Sequence, residues 1–334
     1  MNTKIVYVAT SSLNDIFWEQ MWVSVWSLKH HNPACHVVLV TDEETYGVAK
    51  NSYRASSLDL IDEVLPYAFE KDYPQKKRSR FLKLKLRQLI SGNFLYIDSD
   101  TVVTADMSEI DTWDIHLGLV YDQHENPRPM PMNIKGYQKL YGVELSRTDH
   151  YYNGGLIFAK DDEVARDFFE RWYSNWTKAG NLFDYRDQPP LAQTVLEMGN
   201  PVTPLSGIYN CQVLTGVRYL HEAKIIHFFN NPWVLPTQVH PLLNKETYRS
   251  VVAEKGLSDE LIHLVLNCKS EFYSISFPVG IEGAFFLRSY IVRVLYNLYE
   301  HKRGLFKCID KVAKILRDTF YYLKYKSFLR HFRS

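Results

Sequence analysis

The sequence predicts an α/β fold: a mostly parallel central sheet, followed by a helical, basic and aromatic C-terminal extension. Three observations carry this. Short β-branched or apolar runs alternate with helical periodicities through the first hundred residues, which favours parallel strands with helices on both faces. One such run, Phe94-Leu95-Tyr96-Ile97, ends abruptly in Asp98-Ser99-Asp100, and open α/β sheets hold their ligands at strand ends. The last fifty residues instead place Phe, Tyr, Leu and Ile between regularly spaced cations.

The elements follow in order. Lys4 to Ala9 reads as the first strand, and Thr10-Ser11-Ser12 as the turn after it. Leu13 to His30 reads as a helix with Ser12 as N-cap and Pro33 beyond its end. His36 to Thr41 is a buried strand, Asp42 to Lys50 a helix, and Leu58 to Leu65 a third strand closed by Pro66. Arg78 to Ile90 has helical spacing and stops near Gly92. Phe94 to Ile97 then delivers Asp98, and Leu117 to Tyr121 ends at Asp122. Residues 123–150 have no strong period and are expected to form a functional lid. Tyr151-Tyr152-Asn153-Gly154-Gly155 leads into a strand from Leu156 to Ala159. Its paired glycines allow either a strained turn close to a ligand or a simple bulge. Asp162 to Lys178 is amphipathic, and Asp187-Gln188-Pro189-Pro190 opens a helix that Asp187 is placed to cap. Lys224 to Phe229 is a strand carrying His227, before the turn Asn230-Asn231-Pro232-Trp233.

With 334 residues, 46% apolar and 23% charged, the chain can bury a sizeable core. Its four cysteines show no metal-ligand spacing and suggest a reducing compartment. There is no GxG fingerprint and no GK[ST] loop, so a nucleotide would have to be held by other means. No apolar segment is long enough to span a bilayer, and the N-terminal apolar run is too short for a signal peptide. The expected location is the cytoplasm, peripheral at the inner face of the cell membrane. Residues 301–334 carry ten Lys and Arg against two Asp, while the whole chain is only +1, so the body is acidic. The expected domains are 1–240, a helical connector at 241–282, and a basic aromatic tail at 283–334 that meets an anionic membrane surface. A helical domain with a solvated basic face is the plainer account of that tail. Nothing suggests a nucleic-acid module.

Period-two geometry places Asp98 and Asp100 on one side of an extended backbone. Two carboxylates that close repel unless a cation lies between them, which points to a hard divalent metal facing a phosphate. A capped strand end with two solvated acids is the plainer reading. His227 is either a structural strand histidine or a third ligand in an oxygen-rich site.

Four stretches, in order, resemble glycosyltransferase family 8, the group of glycogenin and the bacterial lipopolysaccharide galactosyl- and glucosyltransferases. Tyr96-Ile97-Asp98-Ser99-Asp100 resembles its DxD motif, and Tyr152-Asn153-Gly154-Gly155 its "F/Y-N-(A/S/G)-G" segment. Tyr185-Arg186-Asp187-Gln188 resembles its "DQ" segment, and Ile225-Ile226-His227-Phe228 with Pro232-Trp233 its "HF…KPW" close. The resemblance covers roughly residues 1–235. It implies a Rossmann-like GT-A fold for nucleotide-diphospho-sugar transfer, and a retaining transfer of hexose from a UDP-sugar, UDP-galactose or UDP-glucose, to a glycan or glycolipid. It implies Mn²⁺, or Mg²⁺, on Asp98, Asp100 and His227. Thr10, Ser11, Ser12, Ser99 and Arg80 would meet the nucleotide, with Lys83 fitting nearly as well as Arg80. Asp122, Asn153, Gly154 and Gly155 would surround sugar and acceptor, with Asp187 and Gln188 at the reacting centre. The chain departs from the pattern at Thr10-Ser11-Ser12, at Asn231 in place of Lys, and at Pro189 in place of an acid. The competing reading is a haloacid-dehalogenase-type phosphatase, with Asp98 as nucleophile.

Overall fold

The computed structural model describes residues 1–124, 150–180, 182, 185–214, 216–229, 240–272, 286 and 289–331. The expected lid, apart from its edges, and the Asn230 to Trp233 turn lie outside them.

Seven strands form the main sheet: β1 (Lys4–Ala9), β2 (Val37–Asp42), β3 (Glu63–Tyr67), β4 (Phe94–Ile97), β6 (Leu117–Tyr121), β7 (Tyr152–Ala159) and β8 (Val202–Leu205). Their order is β3-β2-β1-β4-β7-β6-β8, parallel throughout except for β7, which runs antiparallel to β4 and β6. The mostly parallel sheet is therefore as expected. Its two faces follow the period of two. Val6, Val8, Val38, Val40, Phe94 and Tyr96 pack on one side with Phe168, Phe169 and Trp172. Ile5, Tyr7, Val37, Leu39, Leu95 and Ile97 pack on the other with Trp18, Met21 and Val25. A second sheet, in the order β5-β10-β9, joins β5 (Thr101–Val103), β10 (Ile225–His227) and β9 (Cys211–Gln212).

Helix α1 spans Phe17–His31, four residues later than expected, and its N-cap Ile16 makes no side-chain capping bond. Ser12 does not cap it. Helix α2 (Glu43–Lys50) begins one residue after the expected start, because Asp42 caps it by accepting from the Thr45 amide. The expected third strand is half wrong: Ser52 caps a 3₁₀ helix over Tyr53–Leu60, and β3 begins only at Glu63. Pro66 sits inside β3 because that strand is the sheet's edge, where a missing N–H costs no ladder bond. The expected helix over 78–90 is two helices, α3 (Gln75–Leu84) and α4 (Leu86–Leu89). Buried Leu82, Leu84 and Leu86 are two residues apart, a spacing that one continuous helix cannot put on a single face.

Helix α5 (Glu163–Ala179) is capped by Asp162, and α6 (Gln188–Glu197) carries Pro189 in its first turn. Helices α7 (Lys245–Glu254) and α8 (Asp259–Leu266) are N-capped by Asn244 and Ser258. The chain divides into two units, Met1–Pro232 with Pro236–Gly280, and Trp233–Leu235 with Ile281–Ser334. The second contains α9 (Tyr290–His301), capped by Ser289, and the 29-residue α10 (Arg303–His331). Many of its described apolar side chains, among them Tyr290, Ile291, Val312, Ile315, Leu316 and Phe320, are exposed. Among the described residues, no helix is long and apolar enough to cross a membrane.

Candidate active site

Asp98, Ser99 and Asp100 lie in the turn between β4 and β5, not on an extended strand. The alternation argument named the wrong geometry, although the turn still brings both acids to the sheet's carboxyl edge. His227 reaches them through backbone pairing. It stands opposite Thr101 in the antiparallel β5–β10 ladder, and the Phe228 amide donates to the Asp100 carbonyl at 2.8 Å. Its Nε2 is 3.1 Å from Asp100 Oδ1 and 3.9 Å from Asp98 Oδ2. One ligand atom from each of the three residues lies within 4.8 Å of the others. Two carboxylate oxygens with one imidazole nitrogen are a donor set able to hold a divalent metal ion. Gly155 keeps this space open: a Cβ there would overlap His227 Cε1 and lie 2.9 Å from Asp98 Oδ2.

The charges reinforce one another. Burial alone would lower the pKa of His227, but Asp100, and then Asp98, raise it above the ordinary histidine value. Burial would raise the Asp100 carboxyl, and the His227 ring holds it below the usual range. Tyr96 donates to Asp98 Oδ1 and, buried beside it, keeps its own proton far above the ordinary phenol range.

A cavity of about 530 Å³ opens beside the acids. It is lined by Val8, Ala9 and Thr10 from the β1 end, by Asp15, Phe17 and Gln20, by Ser79, Arg80 and Lys83 from α3, and by Tyr96, Asp98, Ser99, Asp100 and Asp187. Lys83 Nζ bridges two of these acids, 2.8 Å from Asp187 Oδ2 and 3.8 Å from Asp98 Oδ1. Burial would lower the Lys83 pKa, and Asp187 and Asp98 together raise it; burial would raise Asp187, and Lys83 and then Arg80 lower it. Asp187 was expected to cap α6. Its side chain makes no capping bond and is spent on Lys83 instead.

Other expected residues fall as follows. Arg80 is exposed at the cavity wall, while Lys83, weighed beside it from sequence, sits deeper. Ser11 is buried, and both Ser11 and Ser12 give their hydroxyls to Asp15, which also accepts from the Ser12 and Phe17 amides. Gly154 and Gly155 are inside β7 rather than in a turn before it; the ladder with β6 passes from Leu119 opposite Ile157 to Val120 opposite Asn153, so both glycines lie in a bulge of β7, the second of the two readings. A Cβ on Gly154 would be 3.1 Å from Lys83 Nζ and 3.6 Å from Asp187 Oδ2. Asn153 donates to Asp122 Oδ1 at 2.9 Å. Gln188 begins α6, half-buried. Among the described residues lining the cavity, Ser11, Ser12, Asp122, Asn153, Gly154, Gly155 and Gln188 do not figure.

Sequence reasoning missed Asp15, Phe17, Gln20 and Ser79, and it missed Asn210, whose Oδ1 is 2.9 Å from His227 Nδ1. An acid three residues after Ser12 was a usable turn signal. Nothing local marked Asn210.

The family model described as "Glycosyl transferase family 8" matches residues 9–234. No curated protein sequence matches the chain. Among solved structures the chain is similar to mouse xyloside xylosyltransferase 1 in its apo form, at 13% identity and TM-score 0.48, covering 68% of this chain and 97% of that one. It is similar to the glycosyltransferase GlyE of Streptococcus pneumoniae TIGR4, at 15% identity and TM-score 0.48, covering 81% and 65%. It is also similar to the galactosyltransferase LgtC, in complex with donor and acceptor sugar analogues, at 16% identity and TM-score 0.47, covering 78% and 99%.

Proposed function

The chain belongs to glycosyl transferase family 8, and on that premise we propose that it transfers a hexose, with retention, from a UDP-sugar to a hydroxyl of a glycan or glycolipid. UDP-galactose and UDP-glucose are the favoured donors. One observation carries the reading: two aspartates that line a cavity of about 530 Å³ converge with a buried histidine, beside the Lys83–Asp187 ion pair. Family membership leaves the phosphatase alternative without support.

Asp98, Asp100 and His227 would hold Mn²⁺, with Mg²⁺ as the alternative. Bound there, the cation would offset charge growing on the departing diphosphate. Thr10, Ser99 and Arg80 line the cavity and would take the nucleotide, with Ser11 and Ser12 shaping the loop beside Thr10. Asn153, Gly154, Gly155 and Asp122 would flank the sugar and acceptor. A retaining reaction through a covalent intermediate needs a free carboxylate under the anomeric carbon. Asp187 is already paired with Lys83, and the amide of Gln188 is a poor nucleophile. Both therefore position the sugar, and the acceptor hydroxyl approaches from the face the diphosphate leaves.

The test is a thermal-shift panel of UDP-, GDP- and TDP-sugars with and without Mn²⁺. The expected result is a rise in midpoint with UDP-sugar plus Mn²⁺. A UDP-sugar shift indifferent to the metal, or no UDP-sugar shift, overturns the reading. For the helical tail, exposed apolar side chains beside Lys307, Lys311, Lys314 and Arg317 support contact with an anionic membrane. The full-length chain should float with anionic vesicles, and Lys311→Glu with Lys314→Glu and Arg317→Glu should release it. Equal flotation of both chains defeats that part.

A further inference from the structure

A row of buried amides leaves the candidate metal site and ends at Asp122. His227 Nδ1 is 2.9 Å from Asn210 Oδ1, and Asn210 Nδ2 donates to Asn153 Oδ1 at 3.0 Å. Asn153 Oδ1 also accepts from the Gly155 amide at 2.8 Å, and its Nδ2 donates to Asp122 Oδ1 at 2.9 Å. Asn210 is fully buried, and His227 and Asn153 are nearly so.

An asparagine amide can be turned end for end, so one such bond says little about its direction. Here the direction is imposed from outside. The Gly155 N–H can only donate, and the Asp122 carboxylate can only accept. Together they force Asn153 to present Oδ1 to Gly155 and Nδ2 to Asp122. Asn210 faces that same Oδ1, so it must offer its Nδ2. Its Oδ1 is left for His227, whose Nδ1 must then carry the hydrogen. Nε2 faces the carboxylates of Asp98 and Asp100, which can only accept, so without a cation it carries a hydrogen of its own; with a cation in that place, Nδ1 would keep its hydrogen for Asn210 and the Nε2 lone pair would be the ligand.

We propose that Asn210 is a positioning residue of the metal centre, passing the polarity set by Gly155 and Asp122 to His227 and so fixing the tautomer in which Nε2 is the ligand. The proposal rests on the metal-binding reading above. Partners of this kind orient the imidazole and tune its ligand strength, and losing one typically costs 10–100-fold in metal affinity. Asn210 also ties the ring to Asn153 and Asp122, on the sugar and acceptor side, so a shift in one group is felt by the other.

Two measurements decide it. Two-bond ¹H–¹⁵N spectra of the wild-type chain saturated with diamagnetic Mg²⁺ read the tautomer directly; His227→Gln identifies the signal. The hydrogen is expected on Nδ1, and a hydrogen on Nε2 overturns the proposal. Calorimetric titration with Mn²⁺ should show roughly 10–100-fold weaker binding by Asn210→Ala than by wild type. Equal affinity in a folded Asn210→Ala chain overturns the proposal while leaving the metal reading intact. A wild-type chain that binds neither Mn²⁺ nor Mg²⁺ overturns the metal reading and this proposal with it. If Asn210→Ala does not fold, the wild-type spectrum decides alone.

Discussion

The two halves of the site are held in different ways. Asp98, Asp100 and His227 are placed by backbone: β4 runs into the turn, β5 leaves it, and β10 pairs with β5 so that His227 stands opposite Thr101. Gly155 in β7 closes this half, its carbonyl accepting from the Asp98 amide at 2.8 Å. Lys83 and Asp187 are placed by side chains alone, one from α3 and the other at the start of α6. Strand ladders hold a position to fractions of an ångström. A lysine on four methylenes holds one only as well as its charge partner does. The metal half should therefore respond to added bulk, and the ion-pair half to lost charge.

Adding a single methyl group is the sharpest way to separate them. Gly155→Ala drives a Cβ into His227 and close to Asp98. Misplacement by about 1 Å can cost on the order of 10²-fold, so turnover should fall at least that far, with weaker Mn²⁺ binding. Near-normal turnover in a UDP-sugar assay would show that the ladders give way, and the contrast would fail.

Lys83→Met is the matching change in the other half. It leaves Asp187 without its partner in a site where that carboxylate stays 17% exposed. Removing one member of a buried pair costs about 3–5 kcal/mol, and partial exposure reduces this to roughly 2–3 kcal/mol. Denaturant unfolding should show the loss while Mn²⁺ affinity holds. The opposite pattern, intact stability with lost metal binding, would assign Lys83 to the metal half.

His240 tests what stands behind β10. Its ring packs on Phe228, the residue after His227, at 4.6 Å between centroids. Its Nε2 donates to the Cys268 carbonyl and its Nδ1 accepts from the Leu242 amide, so the neutral ring is satisfied and a second proton has no acceptor. Burial, only partly opposed by the Cys268 carbonyl, lowers its pKa to about 4. Below the ordinary value of about 6.5 the unfolded chain takes up a proton that the native chain refuses. Stability therefore falls as pH drops from about 6.5 towards 4, by about 2 kcal/mol at pH 5. His240→Gln should flatten this part of the stability profile. An unchanged slope would place the titration elsewhere.

Gln188→Ala is the smallest effect. The positioning role we propose for its amide should be worth about tenfold in turnover, or about 1.4 kcal/mol, with UDP affinity largely kept. Unchanged turnover would remove Gln188 from the site.

Much of this was readable from the chain itself, and the failures share a cause. Strands at Phe94–Ile97 and Leu117–Tyr121 match because their residues suit only a buried extended segment. The Asp98–Asp100 pair was visible because both acids lie within one turn. Local capping rules misjudged Ser12 and Asp187. Each could have capped a helix, and each has its polar group taken by a distant or unforeseen partner: Asp15 for Ser12 and Lys83 for Asp187. The single helix expected over 78–90 broke because core packing asked for Leu82, Leu84 and Leu86 together.

Sequence alone determined the class of the fold, the strands of the sheet's centre and the acids at its edge, since each depends on residues a few positions apart. Only the tertiary structure decided that His227 meets Asp100 across 127 residues, that Lys83 rather than a helix end claims Asp187, and that Asn210 stands behind the imidazole. The reason is that a buried polar group must find a partner wherever the packed chain offers one, and the choice among partners far apart in sequence is made by strand register and helix placement.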